Sequence, residues 1–72
     1  MFKLALDNQV SKKVKEELSW HYDIVIWADT LPDEYWVKEA LNRGANVFIS
    51  PDLDIINMLT ELDSDADWYR YS

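Results

Sequence analysis

A small α/β domain with a parallel sheet is the fold class this sequence predicts, on three observations. First, three short apolar runs have the character of strands covered on both faces: Phe2-Lys3-Leu4-Ala5-Leu6, Asp23-Ile24-Val25-Ile26-Trp27-Ala28 and Val47-Phe48-Ile49. Second, an amphipathic stretch with helical spacing follows each run. Third, strands and helices alternate without interruption, which builds parallel sheets through crossover connections. The expected architecture is βαβαβα, a three-stranded parallel sheet in the order 2-1-3 with helices on both faces.

Each element has its own local reason. After the first run, Val10, Val14 and Leu18 recur at spacing four, so residues 10–19 make one helical face among lysines and glutamates. Asn8 or Ser11 can cap that helix. The second run is continuous and β-branched, the composition of a buried strand. Thr30 then offers an N-cap, Pro32 fits the first turn, and Asp33 and Glu34 complement the positive end of a helix dipole. Trp36, Val37, Ala40 and Leu41 supply the inward face. Gly44, the one glycine, stands where a left-handed residue ends a helix.

After the third run, Ser50-Pro51 reads as another N-cap with proline at the first helical position. Ile55, Ile56, Met58, Leu59 and Leu62 form the apolar side of a helix reaching about Leu62. Asp63-Ser64-Asp65-Ala66-Asp67 is a polar break, an acidic loop. Trp68-Tyr69-Arg70-Tyr71-Ser72 is too aromatic for a solvated tail, so it is expected to dock on this domain or on a second copy. No linker divides the chain, and residues 1–72 read as a single domain.

Composition narrows the function classes. The chain has 72 residues, no cysteine and a formal net charge of -7. A disulfide framework and a thiolate zinc site are thereby excluded. The charge opposes simple electrostatic binding to nucleic acid, where lysine and arginine displace counterions. It suits either metal-bridged contact with the phosphates of RNA or an acidic surface facing a basic protein partner. No apolar run approaches the roughly 18 residues of a membrane span. The start lacks the features of a signal peptide. A cytoplasmic protein with no membrane role is therefore expected. Four Trp, four Tyr and two Phe exceed what so small a core can enclose, which predicts a homodimer or partner surface built on aromatics.

The candidate site follows from the topology. With the first strand beside the third, Asp7 and Asp52 face one crevice at the carboxyl edge of the sheet, where open α/β sheets collect ligands. Asp54 lies slightly further on, and Asp29 ends the second strand farther out on the same edge. Magnesium or manganese takes oxygen ligands of this kind, and paired ions activate water for phosphodiester cleavage. On that reading Asp7, Asp52 and Asp54 hold Mg2+ or Mn2+, and Asn8 orients water or phosphate. The plainer reading is that Asp52 complements a helix dipole and Asp7-Asn8 begins a turn. His21, the one histidine, belongs to the opposite edge of the sheet and is a poor general base for these acids.

The opening Leu4-Ala5-Leu6-Asp7-Asn8 resembles the first motif of PIN-like nuclease domains, a strand ending in aspartate with asparagine close behind. Asn46-Val47-Phe48-Ile49-Ser50-Pro51-Asp52-Leu53-Asp54 resembles the last motif, a strand followed by Asp-x-Asp. Pro32-Asp33-Glu34 opening a helix, with Ala40 to Gly44 after it, is similar to the middle of the short PIN-like branch. The resemblance spans about residues 2–56. It implies a minimal PIN-like, Rossmann-like fold, metal-dependent hydrolysis of RNA and a place in toxin–antitoxin systems. It assigns catalytic and metal-binding roles to Asp7, Asp52 and Asp54, with Asp33 matching the helix-start acid. The chain departs from the pattern at Asn8-Gln9, where a further acid is usual, and at Ile55, where an aromatic is frequent. Two functions are therefore expected: a PIN-like ribonuclease or a catalytically degenerate relative, or a non-catalytic acidic protein of phage or mobile-element type that binds and inhibits a nucleic-acid enzyme.

Overall fold

The computed structural model describes residues 2–71; Met1 and Ser72, the two ends of the expected domain, lie outside the described residues. The element order is β1 (Lys3–Leu6), α1 (Lys12–Ser19), β2 (Asp23–Trp27), α2 (Asp33–Asn42), β3 (Val47–Ser50), α3 (Asp54–Glu61) and β4 (Asp67–Arg70). The sheet is wholly parallel, in the order β2-β1-β3-β4.

The expected three strands are thus four. The segment read as a tail docks on its own domain as β4, pairing Asp67 to Val47 and Arg70 to Ser50. The order 2-1-3 persists inside the larger sheet, so β1 and β3 are the two interior strands. Their flanks explain their composition. Leu4, Ala5, Leu6, Val47 and Phe48 are all buried, as parallel strands covered on two faces must be.

Strand alternation divides the core in two. Ala5, Ile26 and Phe48 face α2 and α3, meeting Trp36, Val37, Ala40, Ile55 and Leu59. Leu4, Leu6 and Val47 face the other way and meet Val10, with Val14 and Leu18 of α1 packed against them. The first two helices therefore lie on opposite faces, as the 2-1-3 crossing requires. The larger core is built around Trp36 and Phe48, whose ring centroids are 5.8 Å apart. Each fully buried large side chain contributes about 1.5–3 kcal/mol, so these few residues carry much of the stability.

The helix ends meet expectation in one place and differ from it in two. Ser11, one of two candidates, is the N-cap of α1, and its hydroxyl accepts from the Val14 amide at 3.2 Å. Pro32, rather than Thr30, occupies the cap position of α2. Ser50 does not cap α3. It remains in β3, and the helix begins four residues later at Asp54. The expectation that Asp52 lies within the first helical turn falls with it. At the other end of α2, Gly44 has φ +86°, the left-handed conformation its position demands. Among the described residues no helix is long and apolar enough to cross a membrane.

Candidate functional site

The carboxyl edge of the sheet carries the expected acids, and strand register sets their spacing. Leu6 pairs with Ile49, so the next step along β1 brings Asp7 beside Ser50. The Asp7 amide continues the ladder by donating to the Ile49 carbonyl at 3.0 Å. Its side chain points to the face covered by α2 and α3 and is 3% exposed. Ser50, fully buried, donates its hydroxyl to Asp7 Oδ2 at 2.6 Å. The Gln9 amide donates to Asp7 Oδ1 at 3.0 Å.

The chain continues outward from this pair. Ser50 Oγ accepts from the Asp52 amide at 3.0 Å. Asp52 Oδ1 in turn accepts from the Asp54 amide at 2.9 Å. Asp7, Ser50, Asp52 and Asp54 form one hydrogen-bonded series that closes the loop between β3 and α3. This is what short polar side chains do at a turn: they bind nearby backbone amides in place of secondary structure. The buried carboxylate is thereby provided with donors, as burial of a charged group requires.

The remaining candidates are dispersed. Asn8 and Asp54 are exposed and Asp52 is half-buried. Asp29 is exposed and has φ +49°, so it turns the chain after β2. Asp33 Oδ1 accepts from the Trp36 indole at 3.0 Å, which anchors the first turn of α2 on the core. Among the described residues no three histidine, cysteine, aspartate or glutamate side chains converge as a metal site would require. His21 lies between α1 and β2, at the amino edge of the sheet and away from these acids.

A second feature of this face was not foreseen from the sequence. Between α2 and α3 runs a cleft of about 580 Å3. Glu34, Asp54 and Glu61 bring three carboxylates to it, with Lys38 as the one cation and Asn57 between. Met58 and Leu62 supply its apolar surface, Leu62 being 41% exposed, with the fully buried Val37 beneath them. The helical spacing Asp54, Asn57, Met58, Glu61 places these side chains on one face of α3. That periodicity was available in the sequence; the facing side chains of α2 were not, because they meet α3 only through the tertiary fold.

Elsewhere the charges are little paired. Among the described residues the one salt bridge joins Arg43 to Glu39 at 2.9 Å. Lys15 lies over the Trp27 ring at 4.9 Å and so has a packing role beyond solvation. The acidic excess is therefore carried largely by unpaired side chains. Comparison with family models, with curated proteins and with solved structures gave no match to this chain.

Proposed function

We propose that this chain is a non-catalytic acidic binding protein whose α2–α3 cleft receives a basic, partly apolar segment of a protein partner. The observation that carries this reading is the cleft itself, in which Glu34, Asp54 and Glu61 stand around Met58 and Leu62. Carboxylates attract and orient a basic segment, while the apolar surface supplies the burial that charge alone does not. A net charge of -7 adds a long-range field of the same sign. Proteins that handle nucleic acid present basic segments of this kind, so an inhibitor of a nucleic-acid enzyme is the fitting biological class.

The test uses a labelled amphipathic peptide with arginine on one face and leucine on the other, titrated by fluorescence anisotropy. Binding is expected to weaken as salt is raised. The double variant Glu34→Gln/Glu61→Gln is expected to weaken it about threefold to tenfold, the range of partly exposed ion pairs. Equal affinity of variant and wild type, or no binding at low salt, overturns the reading.

The second reading is the PIN-like ribonuclease, active or degenerate. It is favoured by one observation: Asp7 and Asp52 close adjacent interior strands at the ligand-collecting edge, linked through Ser50. In that reading Asp7, Asp52 and Asp54 take Mg2+ or Mn2+, with Asn8, Asp29 and Asp33 in support.

A further inference from the structure

We propose that β4 pairs with the β4 strand of a second copy, antiparallel about a two-fold axis at Tyr69, joining two sheets into one of eight strands. The surface is separate from the cleft and does not rest on the function proposed for it.

The two edges of the sheet are unlike. At the β2 edge the register against β1 shifts between Leu4 and Ala5, leaving Val25 as an extra residue. Arg43 Nη1 donates to the Val25 carbonyl at 2.9 Å. A bulge and a charged side chain on the backbone are the usual devices that close an edge to pairing. The β4 edge is short and carries Asp67 and Arg70, but among the described residues it has no bulge and no side chain bonded to its outward backbone groups. The amides of Asp67 and Tyr71 donate inward, to the carbonyls of Asn46 at 2.9 Å and Ser50 at 3.1 Å. Strand periodicity puts Tyr69 in the same set, so the backbone groups of Trp68 and Arg70 point away from the sheet. Among the described residues no strand lies beyond β4. Those groups are a template for one more strand.

Register selects how a second copy fits. Directly opposed residues in an antiparallel pair share a face, and hydrogen-bonded pairs need outward backbone groups on both strands. Axes at any residue of this strand satisfy both conditions, but those at Asp67 and Arg70 set like charges directly against each other. An axis at Trp68 sets Arg70 against Ala66, whose amide is already donated to Ser64 Oγ at 3.1 Å. An axis at Tyr69 sets Trp68 against Arg70 twice and forms four backbone hydrogen bonds. The side chains agree with it. On the α2–α3 face each Arg70 guanidinium comes beside the indole of Trp68 in the other copy, a favourable cation–π arrangement. On the α1 face Tyr69, 60% exposed, meets its own counterpart. It borders an apolar groove that continues along Val47, Ile49 and Phe2. No like charges are directly opposed, since Asp67 faces Tyr71. The strand is thus complementary to itself.

Two copies at -7 each repel, so dimerisation strengthens with added salt, opposite in sign to the binding of a basic peptide. The two proposals can therefore fail separately.

The chain has no cysteine, so Tyr69→Cys introduces a single thiol at the axis. Opposed Cα atoms at such a non-hydrogen-bonded position are about 4.5 Å apart, within disulfide reach. Mild oxidation is expected to convert Tyr69→Cys to a covalent dimer and to leave the exposed control Asn42→Cys largely monomeric. Arg70→Pro removes an outward amide while sparing the bonds to β3. It is expected to weaken dimerisation about tenfold or more by analytical ultracentrifugation, with an unchanged far-ultraviolet spectrum to establish that it folds. A wild type that stays monomeric at millimolar concentration overturns the proposal. So does a Tyr69→Cys that cross-links no faster than the control, or a folded Arg70→Pro that dimerises like wild type.

Discussion

The Ser50 hydroxyl and the Asp7 carboxylate, 43 residues apart in sequence, meet at 2.6 Å across the two interior strands. Each accounts for the other's burial. Asp7 needs a donor where water is excluded, and Ser50 needs an acceptor for its proton. Ser50→Ala leaves Asp7 Oδ2 and the Asp52 amide without their partner. The expected loss is about 1–3 kcal/mol, the cost of an unsatisfied buried polar group. Urea denaturation checks it: the midpoint falls while the slope is unchanged.

Thermal melting with and without Mn2+ or Mg2+ separates the two functional readings. A ligand that binds only the folded state raises the midpoint by mass action, by about 2.7 kcal/mol at a hundred times its Kd. With no converging group of three acids among the described residues, superimposable curves with and without metal are expected for wild type and Asp52→Asn. A rise in wild type that Asp52→Asn abolishes would instead establish a carboxylate metal site and justify ribonuclease assays.

Two tryptophans predict unequal responses to the same substitution. The Trp36 side chain is fully buried and donates its indole proton to Asp33 at 3.0 Å. Trp68 Nε1 is buried with no partner among the described residues. Trp36→Phe loses a hydrogen bond and volume and is expected to cost about 1–3 kcal/mol. Trp68→Phe removes an unsatisfied donor and keeps an aromatic ring, so stability is expected to stay within about 1 kcal/mol of wild type. Equilibrium denaturation of both variants tests the difference.

The first three strands and the helix faces were legible because their periodicity is local. Ile24 to Ile26 are β-branched, and Trp36, Val37 and Ala40 recur at helical spacing. β4 was not legible as a strand. Asp67-Trp68-Tyr69-Arg70 is only four residues long, mixes charge with aromatics and follows an acidic turn; β3 supplies what makes it a strand. Ser50 shows the same limit from the other side. Ser-Pro is a sound signal for a helix start, but pairing with β1 and β4 holds Ser50 in the sheet, where Asp7 takes its hydroxyl. The acids at the carboxyl edge were placed there correctly by topology. Their hydrogen bonds, to the amides of Gln9 and Asp54 and to the Ser50 hydroxyl, depend on loop geometry that no spacing in the sequence reports.

The ends of α2 and α3 carry the same device with different residues. In α2 the Gly44 amide donates to Leu41 and the Ala45 amide to Ala40, at 3.0 and 2.9 Å. In α3 the Asp63 amide donates to Thr60 and the Ser64 amide to Leu59, at 3.1 and 3.0 Å. Both are Schellman caps, which place one residue in the left-handed region. Gly44 has φ +86° there, whereas Asp63 has φ +53° and a side chain. Asp63 also sets a negative charge at the negative end of the α3 dipole. Asp63→Gly relieves both costs and gives back some to the greater freedom of glycine in the unfolded chain. A net gain of about 0.5–1 kcal/mol is expected. Gly44→Ala is the converse. A Cβ at that position meets only the Lys3 side chain at 3.4–3.5 Å, so backbone strain rather than a clash sets the cost. That cost is expected to be about 1 kcal/mol. Urea midpoints that move in opposite directions for the two variants bear this out; a destabilised Asp63→Gly would mean that its carboxylate does something the cap geometry does not require.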